Sequence, residues 1–579
     1  LRAKHRLRGT SPICLPIHLT YQSTDAIMPE PTSPISAPMP STRAPSCDAI
    51  IIGAGHNGLT SAAYLAKAGL RVKVLERRGV VGGAAVTEEF APGFRNSVAA
   101  YTVSLLHPKI IHDLDLHRHG LTIVERRAQN FLPAPDGQYL LTGEGRTEAS
   151  LHRLSQHDPA AWPAFMARIA PLAETLRRLM LRSPPNIAPH GGIFNLRTLL
   201  GAFGLSRILN ALTIEDQRLL LDMFARAAGD MLDEIFEHDL VKALLGFDAV
   251  VGHYASPYTP GSAYVMLHHA FGEVNGKSGV WGHARGGMGA ITQAMAKAAR
   301  EHGVDIETNA AVKEIIIENG RACGVVLEDG RALYARAILS NVTPHLLYTK
   351  LIAKDALPDD FRNRIARGRY GSGTFRINVA LSRLPRFTAL PEAGDHLTSG
   401  IILAPSLAYM DRAYHDARAH GWSRQPIVEM LIPSTLDDTL APPGQHVASL
   451  FCQHVAPHLA DGKSWDDHRD EVADLMIATV DEYAPGFAAS VVARKALSPL
   501  DLERDFGLTG GDIFHGALTL EQMFSARPML GYADYRGPLR GLYHCGAGAH
   551  PGGGVTGAPG YNAARAVLQD RRFPFLAGR

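Results

Sequence analysis

The chain has 579 residues, 46% hydrophobic and 20% charged, enough for two or more domains with large cores. A formal net charge of +2 gives no electrostatic reason to expect nucleic acid or an acidic partner. No uncharged apolar run reaches the roughly 18 residues of a membrane span, and the five cysteines (Cys14, Cys47, Cys323, Cys452, Cys545) form no close pair. That spacing excludes a redox dithiol or a cysteine metal cluster and predicts a reducing compartment, by default the cytoplasm.

Residues 1–46 read as a disordered leader, with Pro, Ser and Thr concentrated between Met28 and Pro45. Arg2, Lys4, Arg6 and Arg8 precede any acid. Two readings stay open: a transit peptide, which would place the protein in the mitochondrial matrix, or a true start at Met28.

Residues 48–89 carry the strongest signal. Ala49–Ile52 is a short β-branched run, expected as a buried parallel strand. Gly53, Gly55 and Gly58 follow as G-x-G-x-x-G, enclosing His56 and Asn57. A helix with Ala62, Ala63 and Ala66 inward stops at Gly69, and a second strand from Arg71 to Leu75 ends at Glu76. Gly53 permits the tight turn, Gly55 lets a pyrophosphate approach the backbone, and Gly58 lets helix and strand pack closely. The helix N-terminus then faces the phosphates. Glu76 is placed to accept hydrogen bonds from both hydroxyls of an adenosine ribose, and its charge argues for FAD or NAD over NADP.

Arg77-Arg78 and a second glycine pair, Gly82-Gly83, come next. This extension resembles the flavin-binding signature of the glutathione-reductase-like flavoproteins, in the branch holding amine oxidases and carotenoid desaturases. The resemblance implies FAD, with Arg77, Gly82, Gly83 and Ala84 joining Gly53, Gly55, His56, Asn57, Gly58 and Glu76 around it. Many members carry Arg directly after the glycine pair. Here Ala84-Ala85 stand there, so a side-chain phosphate contact must come from elsewhere.

Residues 91–120 should lead toward the flavin ring; His107, His112, His117 and His119 read as loop or surface histidines, with no metal site. Helical signals dominate 121–279. Asp158-Pro159 reads as N-cap and first helical residue of a helix through Trp162, Phe165, Ile169 and Leu172. Residues 215–236 read as one further helix. Residues 193–212 are apolar at helical spacing with only Arg197 and Arg207 charged. They fit a core helix, or a segment in peripheral contact with a membrane that admits a lipid-soluble substrate.

At Gly286-Gly287 a helix is expected to open, with Ile291, Met295 and Ala298 inward, ending at Gly303. Strands follow at Ile306, Val312, Ile315 and Ile317, with hairpin turns at Asn319-Gly320 and Asp329-Gly330. This resembles the β-meander of the same flavoproteins, which implies that the backbone of Val312 holds the adenine. Residues 345–520 predict a mixed sheet with helices on one side, its strands at 373–381, 427–432 and 446–454. Gly371-Ser372-Gly373-Thr374 lacks the third glycine of a second nucleotide unit.

Residues 541–566 form a closing glycine cluster: a strand over 542–545, a turn at Gly546-Ala547-Gly548, then Gly552-Gly553-Gly554 into a helix from Val555 to Val567. Glycine there again predicts backbone pressed against a ligand. The cluster resembles the C-terminal signature of phytoene-desaturase-like flavoproteins and, next, the desaturase-like carotenoid ketolases. GGMGAITQAMAKAA and residues 507–528 add to the likeness, which covers 47–570. It implies that Gly546, Ala547, Gly553, Gly554 and Val555 meet the flavin. His550 is either a proton-transfer group or a structural histidine bonding the turn backbone.

The expected fold is α/β: a glutathione-reductase-like FAD-binding Rossmann domain from 47–130, 280–345 and 525–579, with an inserted mixed-sheet plus helical substrate domain from 131–279 and 346–524. The expected function is an FAD-dependent oxidoreductase, dehydrogenase- or desaturase-like, acting on a hydrophobic, polyene or carotenoid-like substrate by hydride transfer to flavin. Open alternatives are a ketolase-type oxygenating enzyme and a flavoprotein with a regulatory or partner-binding role. The electron acceptor and any homo-oligomer are left open.

Overall fold

The computed structural model describes residues 45–186 and 196–572. The expectations for the leader and Met28 fall outside them, apart from residues 45 and 46.

The apolar run near the start forms strand Cys47–Ile52, paired in parallel with Val72–Leu75 on one side and Ala332–Ser340 on the other. Asp305–Glu307 and Leu542–His544 extend this parallel sheet at its two edges. Successive residues of a strand face opposite sides. Ala49 and Ile51 therefore pack on helices His56–Lys67, Gly289–Glu301 and Ala558–Arg572. Ile50 and Ile52 pack on the other side, against the hairpin strands Val312–Glu318 and Arg321–Leu327 and the helix Pro344–Thr349. The hairpins turn at Asn319-Gly320 and at Gly330, where the backbone has positive φ.

A second sheet runs in the order Val491–Leu497, Thr374–Leu381, His446–Val455, Trp422–Leu431, Gly400–Leu403, Asn130–Pro133, Tyr139–Leu141. All its pairs are antiparallel except Gly400–Leu403 with Asn130–Pro133. Phe375, Ile377, Val379 and Leu381 point to the helix Trp465–Tyr483. The alternate residues Arg376 and Asn378 turn to the opposite face, against Tyr101 and Asn96. Both faces of this strand are thus buried, one apolar and one polar.

Several boundaries differ from expectation. The helix expected over 215–236 is two, Ile214–Ala225 and Ala228–Ile235. Arg226 and Ala227 are extended between them, and the Arg226 carbonyl accepts a bond from Gly261 N at 3.0 Å. Gly286 and Gly287, with φ of +87° and +78°, make a turn, so the helix opens at Gly289. The last helix starts at Ala558 because Val555 and Gly557 have φ of +57° and +71°. Asp158 is the first helical residue and not the cap; its carboxylate accepts from the N–H groups of Glu237 and His238 at 2.9 and 3.0 Å. The strand expected over 427–432 reaches back to Trp422.

Residues 196–209 are helical, whereas 193–195 lie outside the described residues. Leu199, Leu200 and Phe203 are 49%, 62% and 65% exposed, so the face they share is not a core face.

Candidate functional site

At the C-terminal end of Cys47–Ile52 the chain reverses through Gly53, whose φ of +94° favours glycine. Gly55 caps the following helix without a side-chain bond to its first N–H groups, which suits an anion. A β-carbon on Gly58 would lie 2.1 Å from the Gly53 carbonyl oxygen, so helix and turn touch backbone to backbone. Gly82 N donates to the Ala54 carbonyl at 2.9 Å, and a β-carbon on Gly83 would lie 3.3 Å from Gly55 Cα. The two glycine motifs therefore form one side-chain-free cradle. The Ala84 carbonyl beside it accepts from Ala100 N at 2.9 Å.

Glu76 sits next to this cradle, 5% exposed. Its two carboxylate oxygens accept from Ala54 N at 2.8 Å and Arg78 N at 2.9 Å. Each oxygen keeps a second lone pair for a ligand hydroxyl. The Glu76 carbonyl accepts from Ala310 N at 2.8 Å, which brings Val312, two residues on, to the same end. Arg77 instead turns outward to the Arg504 carbonyl at 2.9 Å. Its neighbour Arg78 pairs with Glu88 and lies over the Phe506 ring, and its buried Nη1 has no partner among the described residues.

The closing glycine cluster meets this cradle through Asn341. Cys545 N donates to the Ser340 carbonyl at 2.8 Å, and a β-carbon on Gly546 would lie 2.7 Å from the Asn341 carbonyl oxygen. Ser61 Oγ donates to the Gly560 carbonyl at 2.7 Å, and a β-carbon on Gly560 would lie 2.1 Å from the Asn57 carbonyl oxygen. Two clusters far apart in sequence thus share one place. Arg527 holds the second: its Nε and Nη2 donate to the Ala547 carbonyl at 3.1 and 2.8 Å, and Nη1 to Gln522 and Gly516 carbonyls at 3.0 and 3.2 Å. Gly553 and Gly554 face Phe514 and Leu105, where β-carbons would meet side-chain carbons at 2.3 and 2.4 Å. Val555, β-branched at positive φ, is a strained residue of the kind that collects at ligand sites.

Around the cradle lie buried polar atoms with no partner among the described residues: His56 Nε2, Asn57 Oδ1, Ser340 Oγ, His515 Nδ1 and both ring nitrogens of His544. Burial pushes the His56 imidazole down to about 4, and those of His515 and His544 to about 3. Neighbouring His544, Arg527 and His56 repel a proton on His515 further. Neutral imidazoles donate one N–H each. Unpaired buried polar groups around a backbone cradle and a helix N-terminus fit a dinucleotide carrying a pyrophosphate. His56 and Asn57 were legible in the glycine motif; His515, His544 and Arg78 were not.

His550 is buried, and its Nε2 lies 3.1 Å from the Leu179 carbonyl. Burial lowers its imidazole to about 4. The bond to Leu179 runs to the helix Asp158–Met180 and not to the backbone of its own turn.

The parallel sheet, its glycine cradle and the second glycine cluster define an FAD-dependent oxidoreductase fold. The family model described as flavin containing amine oxidoreductase matches residues 58–568, and the chain belongs to that family. It is 41% identical to pyridine nucleotide-disulfide oxidoreductase domain-containing protein 2 of Rattus norvegicus, over 91% of this chain and 94% of that one. A limonene dehydrogenase component of Castellaniella defragrans is 29% identical, over 90% and 95% of the two chains. Among solved structures, cyclohexylamine oxidase from Brevibacterium oxydans superposes with a TM-score of 0.55 at 16% identity, covering 91% of this chain and 100% of that one. That last likeness concerns the fold. The cofactor of the family is FAD.

Proposed function

We propose that this chain is an FAD-dependent dehydrogenase acting on a hydrophobic substrate, polyene-like in character. Bound FAD supplies a two-electron acceptor that takes a hydride from a C–H group. The chain's own part is to bind, orient and keep water away. In this reading Gly53, Gly55, Gly58, Asn57, Gly82, Gly83 and Ala84 receive the pyrophosphate, with His56, His515 and His544 as donors. Glu76 takes the ribose hydroxyls, Val312 the adenine edge, and Gly546, Ala547, Gly553, Gly554 and Val555 the flavin end. His550 acts as a positioning residue through Leu179. The segments 47–130, 280–345 and 525–579 serve as the FAD domain, and 131–279 with 346–524 as the substrate domain.

The observation that carries the substrate class is the wall of the second glycine cluster. Phe514, Leu105 and Leu518 close against Gly553, Gly554 and Gly552. Burial keeps the nearby His515, His544 and His550 uncharged, and the Arg527 charge is taken up by carbonyl oxygens. Such a wall favours an uncharged reacting group. The limonene dehydrogenase component, a relative over nearly its whole length, is named for a hydrocarbon. The exposed Leu199, Leu200 and Phe203 add a face suited to a membrane surface, where apolar substrates dissolve.

The test is anaerobic addition of limonene and of linear polyenes to the purified yellow protein. Loss of the flavin's visible absorbance with an apolar compound supports the reading. Bleaching by polar amines alone overturns it, and labelled oxygen in the product would favour the oxygenating alternative.

A further inference from the structure

Arg376 is 1% exposed, yet its Nε and Nη1 have no hydrogen-bond partner among the described residues. Its Nη2 donates to Ser449 Oγ at 2.5 Å. The guanidinium lies 4.4 Å from the centre of the Tyr101 ring and 5.6 Å from that of Phe451. Arg126, also buried, donates to Thr102 Oγ1 at 2.7 Å and to the Gln129 carbonyl at 3.3 Å.

The carboxylate in this group is Glu429, which accepts from the Tyr101 hydroxyl. Burial raises its affinity for a proton, against the pull of Arg126 and Arg376. Asp248, the other carboxyl beside Glu429, is pushed up to about 8 by burial and by Glu429, so it is protonated at neutral pH. Neither guanidinium can shed its proton. Two guanidiniums therefore face a carboxyl that burial disposes to hold its proton, and a buried charge without a counter-charge is strongly unfavourable.

The group abuts the cofactor cradle. Asn378, two residues from Arg376 on the same strand face, donates to the Ser97 carbonyl at 2.9 Å, and Ser97 Oγ accepts from Met288 N at 3.0 Å. Tyr101 follows Ala100, whose N–H bonds the Ala84 carbonyl beside the second glycine pair. An anion at Arg376 would thus lie along the seam between the polar face of the second sheet and the nucleotide-binding segment.

We infer that Arg376, flanked by Tyr101 and Arg126, binds the carboxylate of an otherwise apolar substrate, so the substrate class is a long-chain or isoprenoid monocarboxylic acid. This rests on the dehydrogenase reading above and narrows it. The carboxylate supplies the missing negative charge and the acceptors for two open donors, while the apolar remainder reaches the Phe514 and Leu105 wall. A phosphate oxygen of the cofactor has the same chemistry, and the experiment separates the two sources.

Full-length holoprotein is titrated with palmitate and, separately, with hexadecanol, following the flavin visible band and the thermal midpoint. Palmitate is expected to bind at least about ten-fold more tightly, which corresponds to about 1.4 kcal/mol. Arg376→Met should keep its FAD, hold or raise the ligand-free midpoint, and bind both compounds alike. Arg376→Lys should recover part of the preference. Equal affinity of the native protein for the two compounds, absence of palmitate binding, or a preference surviving in Arg376→Met would each overturn the inference. Loss of FAD from Arg376→Met would assign the open donors to the cofactor and overturn it too. The native comparison stands even if a variant does not fold. If a neutral hydrocarbon reduces the flavin but no carboxylate preference appears, the dehydrogenase reading survives and this inference fails. If Arg376-dependent palmitate binding appears but no apolar compound reduces the flavin, the reverse holds.

Discussion

Asn341 and Gly55 approach so closely that a β-carbon on Gly55 would stand 2.7 Å from Asn341 Nδ2. The same asparagine presents its carbonyl oxygen 2.7 Å from the place a β-carbon on Gly546 would take. One residue at the end of a parallel strand therefore touches both glycine clusters. This contact is what turns two remote motifs into one site.

Glu76 holds the start of that site with one carboxylate oxygen on Ala54 N and the other on Arg78 N. Glu76→Gln removes the charge and turns an amide N–H toward one of these donors. FAD should then bind about ten- to hundred-fold more weakly, as losing a charge-assisted bond implies. Flavin fluorescence on release measures this, and unchanged affinity would remove Glu76 from the site.

The buried histidines predict an acid-sensitive fold. His515 and His544 are held near 3, and His56 and His550 near 4, against an ordinary value of 6.5. Above 6.5 they are neutral in both the folded and the unfolded chain. As pH falls from 6.5 toward 4 the unfolded chain gains protons that the folded chain refuses, so stability is lost; below 3 the effect levels off. Each contributes a slope of up to about 1.4 kcal/mol per pH unit. Urea midpoints between pH 7 and 4 should show this, and His544→Gln should lower the proton uptake on unfolding by about one. A slope unchanged in that variant would contradict the burial of His544 as a neutral ring.

Arg527 is an all-carbonyl staple. Arg527→Met would leave the carbonyls of Ala547, Gln522 and Gly516 short of a donor inside the protein. A loss of about 3–5 kcal/mol in denaturant unfolding is expected, together with weaker FAD retention. A change below about 1 kcal/mol would mean that the second cluster stands without it.

The exposed helix face makes a separate prediction. Leu200→Ser with Phe203→Ser should reduce co-sedimentation with phospholipid vesicles by about 2 kcal/mol per side chain. FAD content should stay unchanged. Equal sedimentation of native and variant protein would leave that face without a membrane role.

Much of the fold was legible because its constraints are local. A glycine that must take φ of +94°, as Gly53 does, or let two backbones touch, as Gly58 does, is visible in spacing alone. Glu76 was legible for the same reason, since it ends a strand of fixed length. His515, His544 and Arg527 were not, because their partners arrive from remote segments and no spacing announces them. Arg77 and Arg78 are indistinguishable in sequence; which one turns outward depends on the Arg504 carbonyl that claims Arg77. The break at Arg226-Ala227 inside an apparently continuous helix likewise depends on a bond from Gly261. The late start of the last helix follows from the positive φ of Val555, a conformation that residue type argues against.

The central claim is that both glycine clusters enclose a single FAD. Hydrogen exchange of the FAD-loaded protein against the same protein stripped of flavin tests it most directly. One equivalent of FAD should slow exchange in residues 53–58 and 82–85 and, together with them, in 546–556. Slowing confined to the first pair of segments, with 546–556 exchanging as in the stripped protein, would contradict the account.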